Sequence, residues 1–188
     1  HCDLIRCGRR HIPMARVMED YPKLITCMAP SKTFNLAGLV GSYHIIYNSW
    51  LRDRCDKEGS LSHYNAMNVM SMHALLGAYR PEGYEWVEEL RQVITGNVDF
   101  ACDYIAKHFD GVEVSRPQGT YMLFVNCGAW CRDHGITPDQ LRRRGVEHGV
   151  IWQSGEAFGD GDCIRINAAL PHTLVREAMD RLEKYVFV

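Results

Sequence analysis

The chain has 188 residues, 46% of them hydrophobic and 23% charged, with a formal net charge of −2. That balance is typical of a soluble globular protein with one domain, or one and a half, and a core of its own. The near-neutral charge excludes a surface built for nucleic acid or membrane, and the run Arg142-Arg143-Arg144 is short enough to be a solvated helix face.

No apolar run approaches the roughly 20 residues that a membrane span needs. No signal peptide is visible, although the chain starts at His1 rather than Met. A cytoplasmic location is expected. The eight cysteines are expected to be reduced thiols, because a chain of this size needs no disulfide staples. Cys127, Cys131 and His134 form one potential metal cluster, and His1, Cys2, Cys7 and His11 another. Neither has the paired C-x-x-C spacing of a structural zinc site, so no metal is expected.

In chain order, residues 1 to 13 read as a strand end running into a loop at Pro13. Leu24 to Ala29 is a short β-rich run stopped by Pro30, and Pro30 to Asn35 a turn or single helical turn. Gly41 to Asn48 reads as a second strand. Ser62 to Tyr79, rich in Met, Ala and Leu, predicts a well-buried helix. Pro81 to about His108 predicts a long amphipathic helix, with Trp86, Leu90, Val93, Ile94, Ala101 and Ile105 at helical spacing and a bend at Gly96-Asn97. Such a helix suits a bridge between two domains.

The last third alternates short strands and helices and forms a separate αβ lobe. Strands are expected at 112–114, 120–125, 149–152 and 163–167. Thr137-Pro138-Asp139-Gln140 opens a helix with a capping box. Leu174, Ala178, Leu182 and Val186, four residues apart, predict a final amphipathic helix.

Three places carry chemistry. Lys32 stands between an apolar strand and an apolar, Gly-containing loop. Burial there would lower its basicity, and a neutral amine is what Schiff-base chemistry needs. Arg165 alternates with Asn167 on a short strand, which puts both on one side. It is either an exposed strand arginine or a bidentate fork for a carboxylate. The stretch Ser154 to Gly161 is Gly-rich without a nucleotide-binding pattern, and its place before Arg165 suits the wall of a site.

At these places the sequence resembles a known family. Ala29-Pro30-Ser31-Lys32-Thr33-Phe34-Asn35-Leu36-Ala37-Gly38-Leu39 is similar to the cofactor-lysine motif of the MalY/PatB-type cystathionine β-lyases, within the class I/II aminotransferases. His1-Cys2-Asp3-Leu4, Gly119 to Phe124, Gly155 to Gly159 and Arg165-Ile166-Asn167-Ala168-Ala169-Leu170-Pro171 match in order and spacing. The resemblance covers essentially the whole chain.

It implies an α/β fold of the aspartate-aminotransferase type (fold type I). Residues 1–93 would be the rear of the large, cofactor-binding domain and 94–188 the small domain. It implies pyridoxal 5′-phosphate (PLP) held by Lys32, with Ser31 the nearest hydroxyl for the cofactor, a Cα proton shuttled by Lys32, and a substrate carboxylate clamped by Arg165. The implied assembly is a homodimer and the implied partner an amino-acid substrate. The family's aspartate for the pyridine nitrogen falls three residues before His1, outside these 188 residues. The position eight residues after the lysine, often an arginine against the phosphate, is Val40, as is common in the β-lyase branch.

The implied reaction is C–S β-elimination from cystathionine or cysteine-type thioethers, giving a thiol, pyruvate and ammonia. Aminotransfer is the alternative on the same motifs. A catalytically incomplete fragment, with apolar surface exposed on residues 1 to 80, is the alternative of another class.

Overall fold

A computed structural model of the chain describes residues 1–62 and 66–188. They fall into two units, His1–Glu89 and Leu90–Val188.

The first unit opens with a loop and a single helical turn, α1 (Met14–Val17). Strands β1 (Thr26–Met28) and β2 (Tyr43–Ile45) pair antiparallel, with Thr26 opposite Ile45 and Met28 opposite Tyr43. Both lie inside the expected runs but are shorter. Helix α2 (Ser49–Ser62), entered where Asn48 Oδ1 accepts the Leu51 N–H at 2.9 Å, has no counterpart in the sequence reading. It buries none of its residues, so no apolar stripe announces it.

Helix α3 (Val69–Ala78) is capped by Asn68, whose side chain accepts the Ser71 N–H at 2.9 Å. It therefore starts later than the expected Ser62; residues 63–65 lie outside the described residues. The expectation of a well-buried helix does not hold. Only Ser71 is buried, and Val69, Met70 and Leu76 are more than half exposed. A helix apolar all round needs partners on every side, and the first unit supplies few. Among the described residues its large buried hydrophobic side chains are Leu4, Ile46 and Val87.

Helix α4 (Pro81–His108) has the expected extent and runs unbroken through Gly96-Asn97, where a bend is expected. Its buried stripe is Val87, Ile94, Val98, Ala101 and Ile105, while Trp86 and Val93 stay about half exposed.

The second unit is built on a four-stranded antiparallel sheet of β3 (Glu113–Val114), β4 (Met122–Asn126), β5 (Gln153–Ser154) and β6 (Cys163–Asn167), in the order β3-β4-β6-β5. Leu123, Val125 and Ile164 are buried on one face of the sheet, and Leu141, Met179 and Leu182 on the helices of this unit are buried too. A short helix, α5 (Gly128–Asp133), follows β4. Helix α6 (Pro138–Glu147) carries the full capping box: Thr137 Oγ1 accepts the Gln140 N–H at 3.2 Å, and Gln140 Oε1 accepts the Thr137 N–H at 2.8 Å.

Residues 149–152 are not a strand. They wrap the end of α6, where the Val150 N–H reaches the Gly145 carbonyl at 2.9 Å. The Trp152 ring lies close against Gly145; a Cβ there would sit 2.2 Å from it. The last helix, α7 (His172–Arg181), continues into a π-turn over Leu182–Val186. Its buried face is Val175, Met179, Leu182 and Val186 rather than a strict four-residue repeat, and Leu174 is exposed. A spacing of four overshoots the 3.6-residue turn by ~40° each time, so the first member of such a series drifts off the face.

Among the described residues no helix is long and apolar enough to cross a membrane. Among the described residues no group of three or more His, Cys, Asp or Glu is placed to hold a metal ion, and the cysteines are free.

Candidate active site

The lysine turn is held from both sides. Pro30 is buried, and its carbonyl accepts the Phe34 N–H at 3.0 Å; the Ser31 carbonyl accepts the Leu36 N–H at 3.1 Å. Thr33 is buried and its hydroxyl donates to Asp3 Oδ2 at 2.8 Å. Phe34 enters an aromatic cluster, with ring centroids 5.8 Å from Tyr79, 6.4 Å from Tyr84 and 6.1 Å from Trp86. Burial first, and then its hydrogen bond with Tyr43, pushes the Tyr79 phenol well above the usual tyrosine range, so the cluster stays uncharged.

Lys32 projects from this anchored turn into the open. It is exposed, and Ser31 beside it is half-buried. The expectation of a sheltered amine is therefore wrong for these residues, and the argument built on burial falls with it. The local sequence buries Pro30 and Thr33 on either side and leaves the side chain between them facing out.

Past the lysine, a 3-10 turn (Ala37–Leu39) ends at Val40, which has left-handed backbone angles of φ 53 and ψ 47 and is 82% exposed. That conformation is unfavourable for a β-branched residue.

In the second unit, β6 carries Arg165 on the sheet face away from the core. Its cross-strand neighbours are Phe124 on β4 and Gln153 on β5, both exposed. Directly opposed residues of antiparallel strands share a face. The Gly-rich stretch is ordered rather than loose. Gly155 donates to the Cys163 carbonyl at 2.7 Å, and a Cβ on it would lie 2.4 Å from the Asp160 carbonyl oxygen. A short 3-10 helix follows (Glu156–Phe158) and delivers Phe158 beneath the arginine, with Arg165 Cζ 4.1 Å from the ring centroid. Arg165 Nε is shielded from water and meets no acceptor, and no carboxylate among the described residues pairs with the guanidinium.

A buried donor without an acceptor is uncommon and costly. Here it belongs to a planar fork lying over an aromatic ring, an arrangement suited to an incoming carboxylate. The sequence reading leaves the choice open between an exposed arginine and such a fork, and it does not single out Phe158. An aromatic inside a Gly-rich loop shortly before the arginine was the available signal. Asp3 and its bond to Thr33 were likewise not legible from spacing, because 30 residues separate them. Ser31 and Lys32 belong to the first unit and Arg165 to the second. A cleft lined by Arg16, Tyr21, Tyr47 and Asn48 contains none of the three.

The chain belongs to the aminotransferase class I and II family, which it matches over residues 8–182. Cystathionine beta-lyase PatB of Bacillus subtilis is 28% identical over 187 residues, covering 97% of this chain and 47% of the relative. Among solved structures, the PLP-bound C-S lyase from Staphylococcus hominis is 30% identical with a TM-score of 0.85, covering 97% of this chain and 47% of that one. Cystalysin from Treponema denticola, which contains a PLP cofactor, is 28% identical with a TM-score of 0.86 over 98% of this chain and 46% of its own. The fold is that of these PLP-dependent enzymes. The chain spans about half the length of the curated relatives it matches.

Proposed function

We propose that these residues form part of a PLP-dependent C–S β-lyase acting on cystathionine or cysteine-type thioethers. The observation that carries the reading is Arg165, stacked on Phe158 with a shielded Nε that meets no acceptor. The named β-lyase relatives favour this chemistry over others of the family.

The residues present fit PLP in part. Lys32 offers an accessible amine on a rigid turn for the cofactor's aldehyde, and Ser31 offers a neighbouring hydroxyl. Bound PLP supplies an electron-withdrawing ring that stabilises the charge left at Cα. The Lys32 amine takes the Cα proton. The Arg165 fork holds the α-carboxylate and so fixes which Cα bond is broken. The sulfur leaves Cβ as a thiolate with the C–S electron pair and is protonated to the thiol, and one water hydrolyses the remaining three-carbon fragment to pyruvate and ammonia.

In this reading residues 1–93 are the rear of the large domain and 94–188 the small domain of a cytoplasmic homodimer. The apolar side chains exposed on the first unit, Tyr47 and Met70 among them, support burial against further protein. Because Lys32 stands in the open, the 188 residues alone are expected to bind PLP weakly and to turn over slowly.

Two measurements test the proposal. Borohydride reduction with PLP, followed by peptide mapping, is expected to label Lys32; labelling spread evenly over surface lysines, or unchanged in Lys32→Ala, rejects it as the cofactor lysine. Pyruvate released from cystathionine without any 2-oxo acid supports the lyase. Strict dependence on such an acceptor supports aminotransfer, the second reading, which the family description favours.

A further inference from the structure

Asn97 lies mid-helix in α4 with 1% of its surface exposed. A buried asparagine is a poor helix former, and its amide is costly to dry unless every polar atom finds a partner. Here each one does. Nδ2 donates to the Ala168 carbonyl at 2.9 Å and to the Leu170 carbonyl at 2.7 Å. Oδ1 lies 2.9 Å from His172 Nδ1. Since both amide hydrogens are spent on carbonyls, the oxygen accepts, and His172 Nδ1 carries the proton.

Ala168 and Leu170 belong to the turn that leaves β6, the strand of Arg165, and His172 opens α7 directly after it. The same turn is tied by the Ala168 N–H to the Tyr121 carbonyl at 2.8 Å, and by the Ala169 N–H to Asn167 Oδ1 at 2.8 Å. Asn97 thus ties the exit of β6 to α4. Leucine in its place would leave the buried Ala168 carbonyl without this donor and would remove the donor to Leu170. An ionised aspartate would set its charge against those same two oxygens.

We propose that Asn97 is a positioning residue for Arg165: by holding the 168–171 turn it sets the end of β6, and so keeps the guanidinium over Phe158. The role rests on reading Arg165 as the carboxylate fork. It accounts for an asparagine where helix propensity and burial both argue against one.

The test uses the Arg165 Nε–H resonance in 1H–15N spectra of the whole chain, identified by its loss in Arg165→Lys. The Phe158 ring, 4.1 Å from Cζ, shifts that resonance, and Phe158→Leu marks its unstacked position. Asn97→Ala is expected to move it most of the way there, and His172→Ala to move it in the same direction by less. A merely structural role lowers the melting temperature and leaves the resonance of folded molecules in place. If Asn97→Ala does not fold, His172→Ala decides, because that residue is exposed and its replacement is expected to leave the chain folded. A wild-type position in the folded variant overturns the proposal. Failure of the underlying reading shows elsewhere: in the PLP-loaded enzyme, Arg165→Lys would then leave the KM for the amino acid unchanged whatever the spectra show.

Discussion

The Thr33 hydroxyl donates a 2.8 Å hydrogen bond to the Asp3 carboxylate, tying the residue after Lys32 to a segment 30 positions earlier. Thr33 is 2% exposed, so the bond is shielded on one side from competing water. Thr33→Val keeps the shape and removes the donor. It is expected to destabilise the chain by ~1–2 kcal/mol, as for a hydrogen bond to a charged acceptor. Urea unfolding measures this. An unchanged midpoint would show that the bond contributes nothing to the lysine turn.

Lys32→Ala is expected to separate chemistry from stability. The side chain is exposed, so the melting temperature stays near wild type, with a change within about 0.5 kcal/mol, while PLP attachment is lost. A large fall in melting temperature would mean that the ammonium holds a structural contact.

Arg165→Lys keeps the charge but loses the fork and most of the stacking on Phe158. In the PLP-loaded enzyme the KM for the amino acid is expected to rise roughly 10- to 100-fold, the equivalent of one charge-assisted hydrogen bond. Phe158→Leu should raise it less. Equal KM values in wild type and Arg165→Lys would remove the arginine from the site.

Gly145→Ala tests the packing of Trp152 against the end of α6. The new methyl would lie 2.2 Å from the Trp152 ring. Displacing a buried ring from a filled core is expected to cost ~1–3 kcal/mol and to shift the tryptophan emission. Wild-type stability and emission would show that the ring has room to move.

The thiols should divide sharply in reactivity. Cys7 and Cys27 are exposed and are expected to react first with a disulfide reagent, while Cys102, Cys127, Cys131 and Cys163 react only on unfolding. Burial, reinforced by a hydrogen bond to Asp160, pushes the Cys163 thiol up to about 11 from an ordinary 9.0. A thiol whose folded value is raised holds its proton more tightly when folded. Its contribution to stability is complete below the ordinary value and is lost as pH climbs through that interval. Alkaline unfolding of Cys163→Ala should therefore begin at higher pH than wild type; an identical alkaline limb would rule this out.

Local signals were legible wherever a few neighbouring residues decide the outcome. The Thr137–Gln140 capping box, the extent of Pro81–His108 and the strand Cys163–Asn167 follow from spacing alone, because caps, helical stripes and strand runs depend on contacts within a turn or two. The order of the lysine and arginine motifs, likewise a linear property, identified the family and the cofactor.

What only the tertiary structure decided depends on residues far apart in the chain. Whether Lys32 is sheltered is set by what packs over the turn, and these residues leave it open. Trp152 meeting Gly145, Asn97 bonding to Ala168 and Leu170, and Phe158 lying under Arg165 are all of this kind. Each of these joins side chains whose separation in space the linear pattern does not encode, since burial and hydrogen-bond satisfaction are properties of the assembled surroundings rather than of the residue that carries them.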